Sequence, residues 1–553
     1  MLLAAILTGC GSLPDNVERP RSTAFSAPEQ TQLGRLVQAR RVQAGTRSDS
    51  AFKLLDSEEL AFTGRLALID GAQRTLDLQY YAIHADASTE ILLQRLRDAA
   101  RRGVRVRLLL DDFNTVGADA QVLTLAFEPN VDIRLFNPLP GSRGSLVGRL
   151  LGSLHDVPRI QKRMHNKLFL ADSAIGITGG RNLGDAYFGS AEGSNFVDLD
   201  VLAMGRIVRD MAGSFDRYWN DELAYPAQAL LSVKDLETLR KRRHDSAAPE
   251  AEEAPRAVTA TAPAAASATS ATSAPGSPIL AEVSSTAGVN VGRQPLDLSA
   301  VALVWAPSVL LVDRPGKVAP GDEDVEAGET VIDGLLDLMT KAQKDVLIVT
   351  PYFVPGSQMM EVFRSMRARG VRIRVLTNSL ASNDAPAAHA GYARYRKDIL
   401  ALGIELHEMR AEQEAPAGRS RGASSARGMR SVLGSGPGGS KSGSSHASLH
   451  SKAVMIDTQL SVIGSMNLDL RSKLQNSEVA LVIRSRILTR QAVGKVEETL
   501  AGGAYRLMHD NGQLSWRAPP GAGFPDERTE PGASATLRFL VRVLGPLAPE
   551  EML

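Results

Sequence analysis

Apolar and polar positions change period several times along the chain, and the changes fall in the same order in its two halves. Apolar residues at helical spacing run through Ile69, then Leu76, Leu78 and Tyr80 alternate with polar neighbours, the period of a strand. STEILLQRLRDAARRG follows as an amphipathic helix stopped at Gly103, and VRVRLLLDD is the next strand. In the second half KAQKDVLIVTPYFVPG, QMMEVFRSMRARG and VRIRVLTNS take the same parts, with Arg-Gly-Val-Arg at 102–105 and again at 369–372. A helix, a glycine and a strand in that order open an α/β layered domain. The recurrence predicts two copies of one domain, each a mixed sheet flanked by helices, related by a pseudo-two-fold axis with a site at their interface.

The strongest recurrence is a short stretch. Residues 165–182 read HNKLFLADSAIGITGGRN, and residues 450–467 read HSKAVMIDTQLSVIGSMN. His165, Lys167, Asp172, Gly179, Gly180 and Asn182 stand at the spacing of His450, Lys452, Asp457, Gly464, Ser465 and Asn467. The intervening residues are mostly apolar, so each copy reads as two short buried strands joined by a turn at Asp172-Ser173 or Asp457-Thr458. Side chains two apart on a strand share a face, which sets each His beside its Lys. Each Asn follows a Gly-rich bend that lets the backbone approach a ligand.

Two imidazoles, two ammonium groups and two carboxamides on facing rims suit phosphoryl chemistry. Lys167, Lys452, Asn182 and Asn467 hold the phosphodiester oxygens and stabilise charge in the transition state. One imidazole attacks phosphorus to give a phospho-histidine, and the other protonates the leaving alcohol and then deprotonates the incoming one. Each His needs an acceptor on its second ring nitrogen; downstream of the first copy FVDLDVLAMG offers Asp198, and downstream of the second NSEVALVI offers Glu478. Asp172 and Asp457 belong to the catalytic motif, although their place at the turns predicts that they fix the loop rather than touch phosphate. A metal is disfavoured because each His neighbours a Lys, which repels a cation.

These residues match the HxKxxxxDxxxxxxGSxN signature, and the chain resembles the phospholipase D superfamily, within it the bacterial cardiolipin synthases. LDLQYYAIHAD, GGRNLGDAYFG, PYFVPG and VLTNSLASNDAPAAHAGYARYR carry the likeness further, from Phe52 to the C-terminus apart from two low-complexity inserts. Gly180 stands where the superfamily has Ser. The resemblance implies phosphatidyl transfer with no cofactor, phosphatidylglycerol as acceptor, cardiolipin as product and phosphatidylethanolamine as a candidate donor. It also implies that His165, in the first copy, is the nucleophile. Hydrolysis to phosphatidic acid is the first rival. A nuclease is a weaker one, because Lys plus Arg is 63, Asp plus Glu is 62 and aromatics are 5%, so neither a basic field nor a stacking track is evident. A silent scaffold is disfavoured by two intact motifs. No protein partner is evident.

The length of 553 residues suggests two domains. The expected division is a lipoprotein-type signal at 1–9, a tether at 10–51, a first domain at 52–243 and a linker at 244–288. A second domain follows at 289–515, with a flexible insert at 411–445, and then a tail at 516–553. MLLAAILTGC ends on Cys10, the one cysteine, which reads as an acylation site that would hold the chain to a membrane facing the bacterial periplasm. The absence of Lys or Arg before the apolar run departs from a signal's usual start. The Ala/Ser/Thr/Pro-rich linker cannot bury enough to order itself, and the Gly/Ser-rich, basic insert reads either as flexible filler or as a segment sampling anionic lipid near the site. Residues 136–163, with Arg143, Arg149, Arg159, Lys162 and Arg163, read either as a loop dipping into lipid or as a surface hairpin. The helix carrying His389, Tyr392, Arg394, Tyr395 and Arg396 reads either as a headgroup-pocket wall or as a packed helix. LRFLVRVLGPLAPEEML reads either as an interfacial anchor or as a packed terminal helix.

Overall fold

A computed structural model of the chain describes residues 13–141, 149–150, 153, 156–191, 194–231, 235, 237, 241, 293–319, 330–411 and 446–544. The signal, Cys10, Arg143, the 244–288 linker and nearly all of the 411–445 insert lie outside these residues.

Two nine-stranded mixed sheets dominate the molecule. In the first, Thr75–Tyr80, Arg105–Asp111 and Val131–Phe136 run parallel, and Leu168–Ala171, Ile175–Gly179, Asp200–Gly205 and Ser50–Leu55 follow antiparallel. In the second, Asp345–Val349, Arg372–Asn378 and Glu405–Met409 repeat the parallel core. Ala453–Ile456, Leu460–Gly464, Val479–Arg484 and Ser308–Val312 then repeat the antiparallel flank. The duplication read from the chain is therefore strand-for-strand.

Strands buried on both faces read as continuous apolar runs, and the faces sort by parity. Leu168 and Leu170 enter a core shared by the two sheets, while Phe169 and Ala171 enter the outer core of the first half. Ala453 and Met455 join the shared core, and Val454 and Ile456 the outer core of the second half. The shared core also takes Phe215 and Trp219 from helix Arg206–Trp219, and Leu488 and Ala492 from helix Arg486–Gly502. The halves are thus joined through apolar packing, with two sheets and two helices contributing.

Two of the expected boundaries move. Val304–Trp305 pairs with Ala51 and Phe52 at the edge of the first sheet, and Leu298 and Val301 lie in the first core, so the second domain begins near Ser308 rather than at 289. The tether is also shorter than expected. Pro20, Ser22 and Thr23 give their carbonyls to Arg134, Arg107 and Arg105 at 2.5, 3.0 and 2.5 Å, and helix Gln32–Ala44 puts Leu33 and Val37 into the first core. Arg105 therefore helps tie down the N-terminal strap. Among the described residues no helix is long and apolar enough to cross a membrane.

Candidate active site

Each motif copy is a hairpin closed by two left-handed residues, Asp172 and Ser173 at φ 53° and 52°, and Asp457 and Thr458 at φ 52° and 54°. Positive φ at both central positions is the tight turn that matches strand twist, and Asp tolerates it. The Asp172 carboxylate then accepts the backbone N–H groups of Gln73, Arg74 and Thr75 at 2.9, 2.7 and 2.9 Å. Asp457 does the same for Gln343, Lys344 and Asp345 at 2.9, 2.7 and 3.1 Å. Both carboxylates are spent on the far end of a hairpin from the His. Seven residues of extended chain put them on the order of 20 Å away. They are structural, which corrects their inclusion in a catalytic set.

At the other end the two halves exchange strands. Arg163–Met164, just before His165, pairs with Asn476–Ser477, just before Glu478. His446–Leu449, just before His450, pairs with Ser194–Val197, just before Asp198. The His165 N–H donates to the Ser477 carbonyl and the His450 N–H to the Val197 carbonyl, both at 2.9 Å. The side chains follow the backbone. His165 Nδ1 lies 3.1 and 3.0 Å from the Glu478 carboxylate oxygens, and His450 Nδ1 lies 2.7 Å from Asp198 Oδ2. The structure thus places the two acceptors named from the sequence against the opposite half's imidazole, Asp198 against His450 and Glu478 against His165, not against the one upstream of each.

The two carboxylates are seated differently. Glu478 receives the hydroxyls of Ser465 and Ser472, the latter at 2.9 Å, and its N–H donates to Asp313 at 2.9 Å. Asp198 is one methylene shorter. A Cβ on Gly180 would stand 2.3 Å from Asp198 Oδ1 and 2.6 Å from Oδ2. Gly180 departs from the motif's Ser because the Asp198 carboxylate fills that space. Arg181 takes the support role there, donating to the Asp198 carbonyl at 2.6 Å.

Lys167 and Lys452 each donate one hydrogen bond to the carbonyl of their own His, at 2.8 and 2.5 Å, leaving two N–H vectors each for an oxyanion. The Asn182 amide donates to the Tyr187 hydroxyl at 3.0 Å, and its oxygen accepts Ala82 N–H at 3.3 Å. The buried Asn467 side-chain oxygen has no partner among the described residues. Aromatic edges close the walls: Tyr81 against His165 at 5.1 Å, and Tyr187 and Phe196 against His450 at 5.3 and 5.0 Å. These three aromatics, with Ser472 and Asp313, were not singled out from the sequence. Tyr81, Tyr187 and Phe196 do stand inside or beside the motif stretches, a signal that was there to be used.

Burial pushes both imidazoles down from 6.5 to about 4; Lys167 and Lys452 push the same way, and the carboxylates oppose. Burial also brings the Lys167 ammonium down to about 7 and that of Lys452 to about 8. Burial alone would raise the Asp198 carboxyl, but His450, Lys452 and Arg181 outweigh it and hold it at about 2. Lys452 lowers the proton affinity of His165, and Lys167 that of His450, so the two triads share one electrostatic site.

A family model described as "Cardiolipin synthase, PLD-like domain" matches residues 66–219 and 335–500, more than half of the chain. The chain belongs to the phospholipase D-like family of cardiolipin synthases. It is accordingly an enzyme of the phosphatidyltransferase class. Cardiolipin synthase C of Escherichia coli (strain K12) is 35% identical over 494 residues, covering 89% of this chain and 94% of that one. Cardiolipin synthase B of Shigella flexneri is 22% identical over 440 residues, covering 80% and 78%. Phosphatidylserine synthase of Haemophilus influenzae Rd KW20 superposes with a TM-score of 0.49 at 14% identity, over 83% of this chain and 89% of that one.

The other candidates resolve as follows. Arg396 is buried, paired with Glu408 at 2.7 Å and Glu530 at 2.5 Å, and lies 2.9 Å from His389 Nε2. Tyr392 donates to Glu408 at 2.7 Å. His389, Tyr392 and Arg396 of helix Pro386–Ala401 thus belong to an internal ionic cluster, while Arg394 is exposed and Tyr395 half-buried. In the 136–163 segment Arg149 pairs with Asp112, Arg159 with Asp156 at 2.7 Å and Arg163 with Asp111 at 3.3 Å. Lys162 donates to the Ala319 carbonyl at 3.1 Å. Those four cations are tied down within the protein.

Proposed function

We propose that the chain transfers a phosphatidyl group between phospholipids in two displacements at one phosphorus atom, through a phospho-histidine and without a metal. The observation that carries this reading is the exchange of carboxylates: each imidazole is oriented by the opposite half, and each feels the lysine of the opposite motif. His165, with its Nδ1–H directed at Glu478, attacks phosphorus through Nε2. The N–P bond forms, the bond to the headgroup oxygen breaks, and that oxygen takes the His450 proton. An acceptor hydroxyl then returns a proton to His450 while its oxygen displaces His165, restoring both rings. Lys167, Lys452, Asn182 and Asn467 bind the oxygens on which charge accumulates.

With pKa values near 4 both imidazoles are neutral at pH 7, which suits a nucleophile and not an acid. A phosphodiester anion beside the lysines raises the His450 pKa, so substrate arrives with the charge that lets His450 hold the proton it must donate. The closer carboxylate contact, 2.7 Å at His450 against 3.0 Å at His165, supports His450 as the ring that becomes imidazolium. Phosphatidylglycerol is the proposed acceptor, phosphatidylethanolamine a proposed donor and cardiolipin the product. Cys10 is the proposed acyl anchor holding the enzyme at the periplasmic membrane face.

The test is trapping with phosphorus-labelled donor lipid, quenched in alkaline detergent, in which an N–P bond survives. His450→Ala should retain label on the protein and His165→Ala should not. The reverse pattern exchanges the roles. Wild-type enzyme releasing only phosphatidic acid in the presence of phosphatidylglycerol would make it a hydrolase.

A further inference from the structure

Helix Ala535–Leu544 is amphipathic in an unusual place. It lies against helix Pro386–Ala401, with Leu537, Leu540 and Val541 half-buried. Its outer face carries Phe539, 69% exposed, and Val543, 44% exposed, one turn apart. Arg538 and Arg542, also one turn apart and exposed, form a stripe beside them. An apolar stripe beside a cationic one fits an anionic lipid interface, where the ring and methyls enter the headgroup boundary and the guanidinium groups meet phosphate.

The helix is also wired to the site. Glu530, just before it, is clamped to Arg396. Gly532 comes so close to Ala381 that a Cβ on it would lie 3.3 Å from the Ala381 Cβ. The next residue, Ser382, donates to Asn378 at 3.0 Å, and Asn378 clasps Leu449 through both backbone groups at 2.9 Å. Leu449 immediately precedes His450. The helix therefore begins a few contacts from Leu449, the residue before the His450 ring.

We infer that the outer face of helix Ala535–Leu544 docks on an anionic phospholipid surface. This rests on the phosphatidyltransferase reading for its purpose, but binding is measured apart from turnover. The full chain carrying Cys10→Ser, which has no acyl anchor, is sedimented with phosphatidylcholine vesicles containing or lacking phosphatidylglycerol. Phe539→Asp with Val543→Asp should weaken partitioning onto phosphatidylglycerol vesicles by at least ~10-fold. Arg538→Gln with Arg542→Gln, which leaves the apolar tips in place, should abolish the preference for phosphatidylglycerol. Turnover of a monomeric short-chain phospholipid should be unchanged in both.

Unchanged partitioning in both double variants overturns the inference. So does a wild-type dimer that the Phe539 and Val543 changes convert to monomer, since the face would then join two copies. If wild type binds vesicles through this face but transfers no phosphatidyl group, the catalytic reading fails and the docking surface stands. Should the aspartate variant not fold, the arginine variant decides alone.

Discussion

Gly180→Ala is the sharpest probe of the exchanged dyads. The added methyl would sit 2.3 Å from Asp198 Oδ1, 2.6 Å from Oδ2 and 2.8 Å from Cγ, where ordinary contact needs about a further ångström. Asp198 cannot recoil freely. It is buried, its Oδ1 accepts Leu199 N–H at 2.7 Å and its carbonyl is held by Arg181. Relief must come by moving the carboxylate about 1 Å off the His450 Nδ1. A charge-assisted bond is worth ~1.5–3 kcal/mol, and a misplacement of that size costs about 10²-fold in rate. The expected kcat for transfer is therefore about 10²-fold down, with KM little changed, because the lysines and asparagines that hold phosphate are untouched. Overpacking should also lower stability by about 1–3 kcal/mol, so rates are compared at a temperature where both proteins are folded by circular dichroism. The double variant Gly180→Ala, Asp198→Asn should be no slower than Asp198→Asn alone, since the methyl acts only through that carboxylate. Wild-type kcat in Gly180→Ala, or additive losses in the double variant, would refute the reasoning.

Ser465→Gly, the mirror change in the second half, should lower kcat less than 10-fold, since Glu478 keeps Ser472 and His165; transfer kinetics on the same lipids measure it. Asp172→Ala should lower stability by roughly 3 kcal/mol, orphaning three backbone donors, while kcat per folded molecule stays within about 3-fold; a large kcat loss at full folding would return Asp172 to the catalytic set. Lys167 and Lys452 titrate near 7 and 8 against 10.5 when exposed, so the folded state binds fewer protons than the unfolded state between those limits. Their contribution to stability therefore rises with pH across that window, while affinity for inorganic phosphate, read by calorimetry, falls as the charges are lost; Lys452→Met should flatten both trends.

The duplicated architecture was legible because strands buried on both faces leave apolar runs, and because VRVRLLLDD and VRIRVLTNS repeat almost residue for residue. The paired His165-Lys167 and His450-Lys452 were legible from spacing, as were the turns, where Asp172 and Asp457 tolerate positive φ. What the chain hid is pairing across halves. Nothing in the order of residues says that Asp198, 33 positions after His165, belongs to His450, 252 positions later. The Val304–Trp305 strand was hidden for the same reason, since its partner is Ala51–Phe52 at the other sheet's edge. The Gly180 departure could be seen but not explained until the Asp198 carboxylate was found in its Cβ space.

Exchange of the acids has a consequence for how the enzyme can fail. Because Arg163–Met164 pairs with Asn476–Ser477 and His446–Leu449 with Ser194–Val197, every strand that aims a catalytic His is completed by the other half. Neither half holds a complete dyad, so a half folded alone has an imidazole without its carboxylate and a carboxylate without its imidazole, and burying either so deprived is costly. The same two sheets share one apolar core, so weakening that core loosens both dyads together. Met455→Ala, in the shared core and far from phosphate, should cost about 2–5 kcal/mol, and as temperature approaches its unfolding midpoint, nucleophilic trapping on His165 and transfer to acceptor should decay with one common midpoint. Val454→Ala, one residue away but facing the outer core of the second half, should leave the dyads intact up to its own cooperative unfolding. Separate midpoints for trapping and transfer in Met455→Ala would show that the two triads are held independently, and the interlocked account of this site would have to be abandoned.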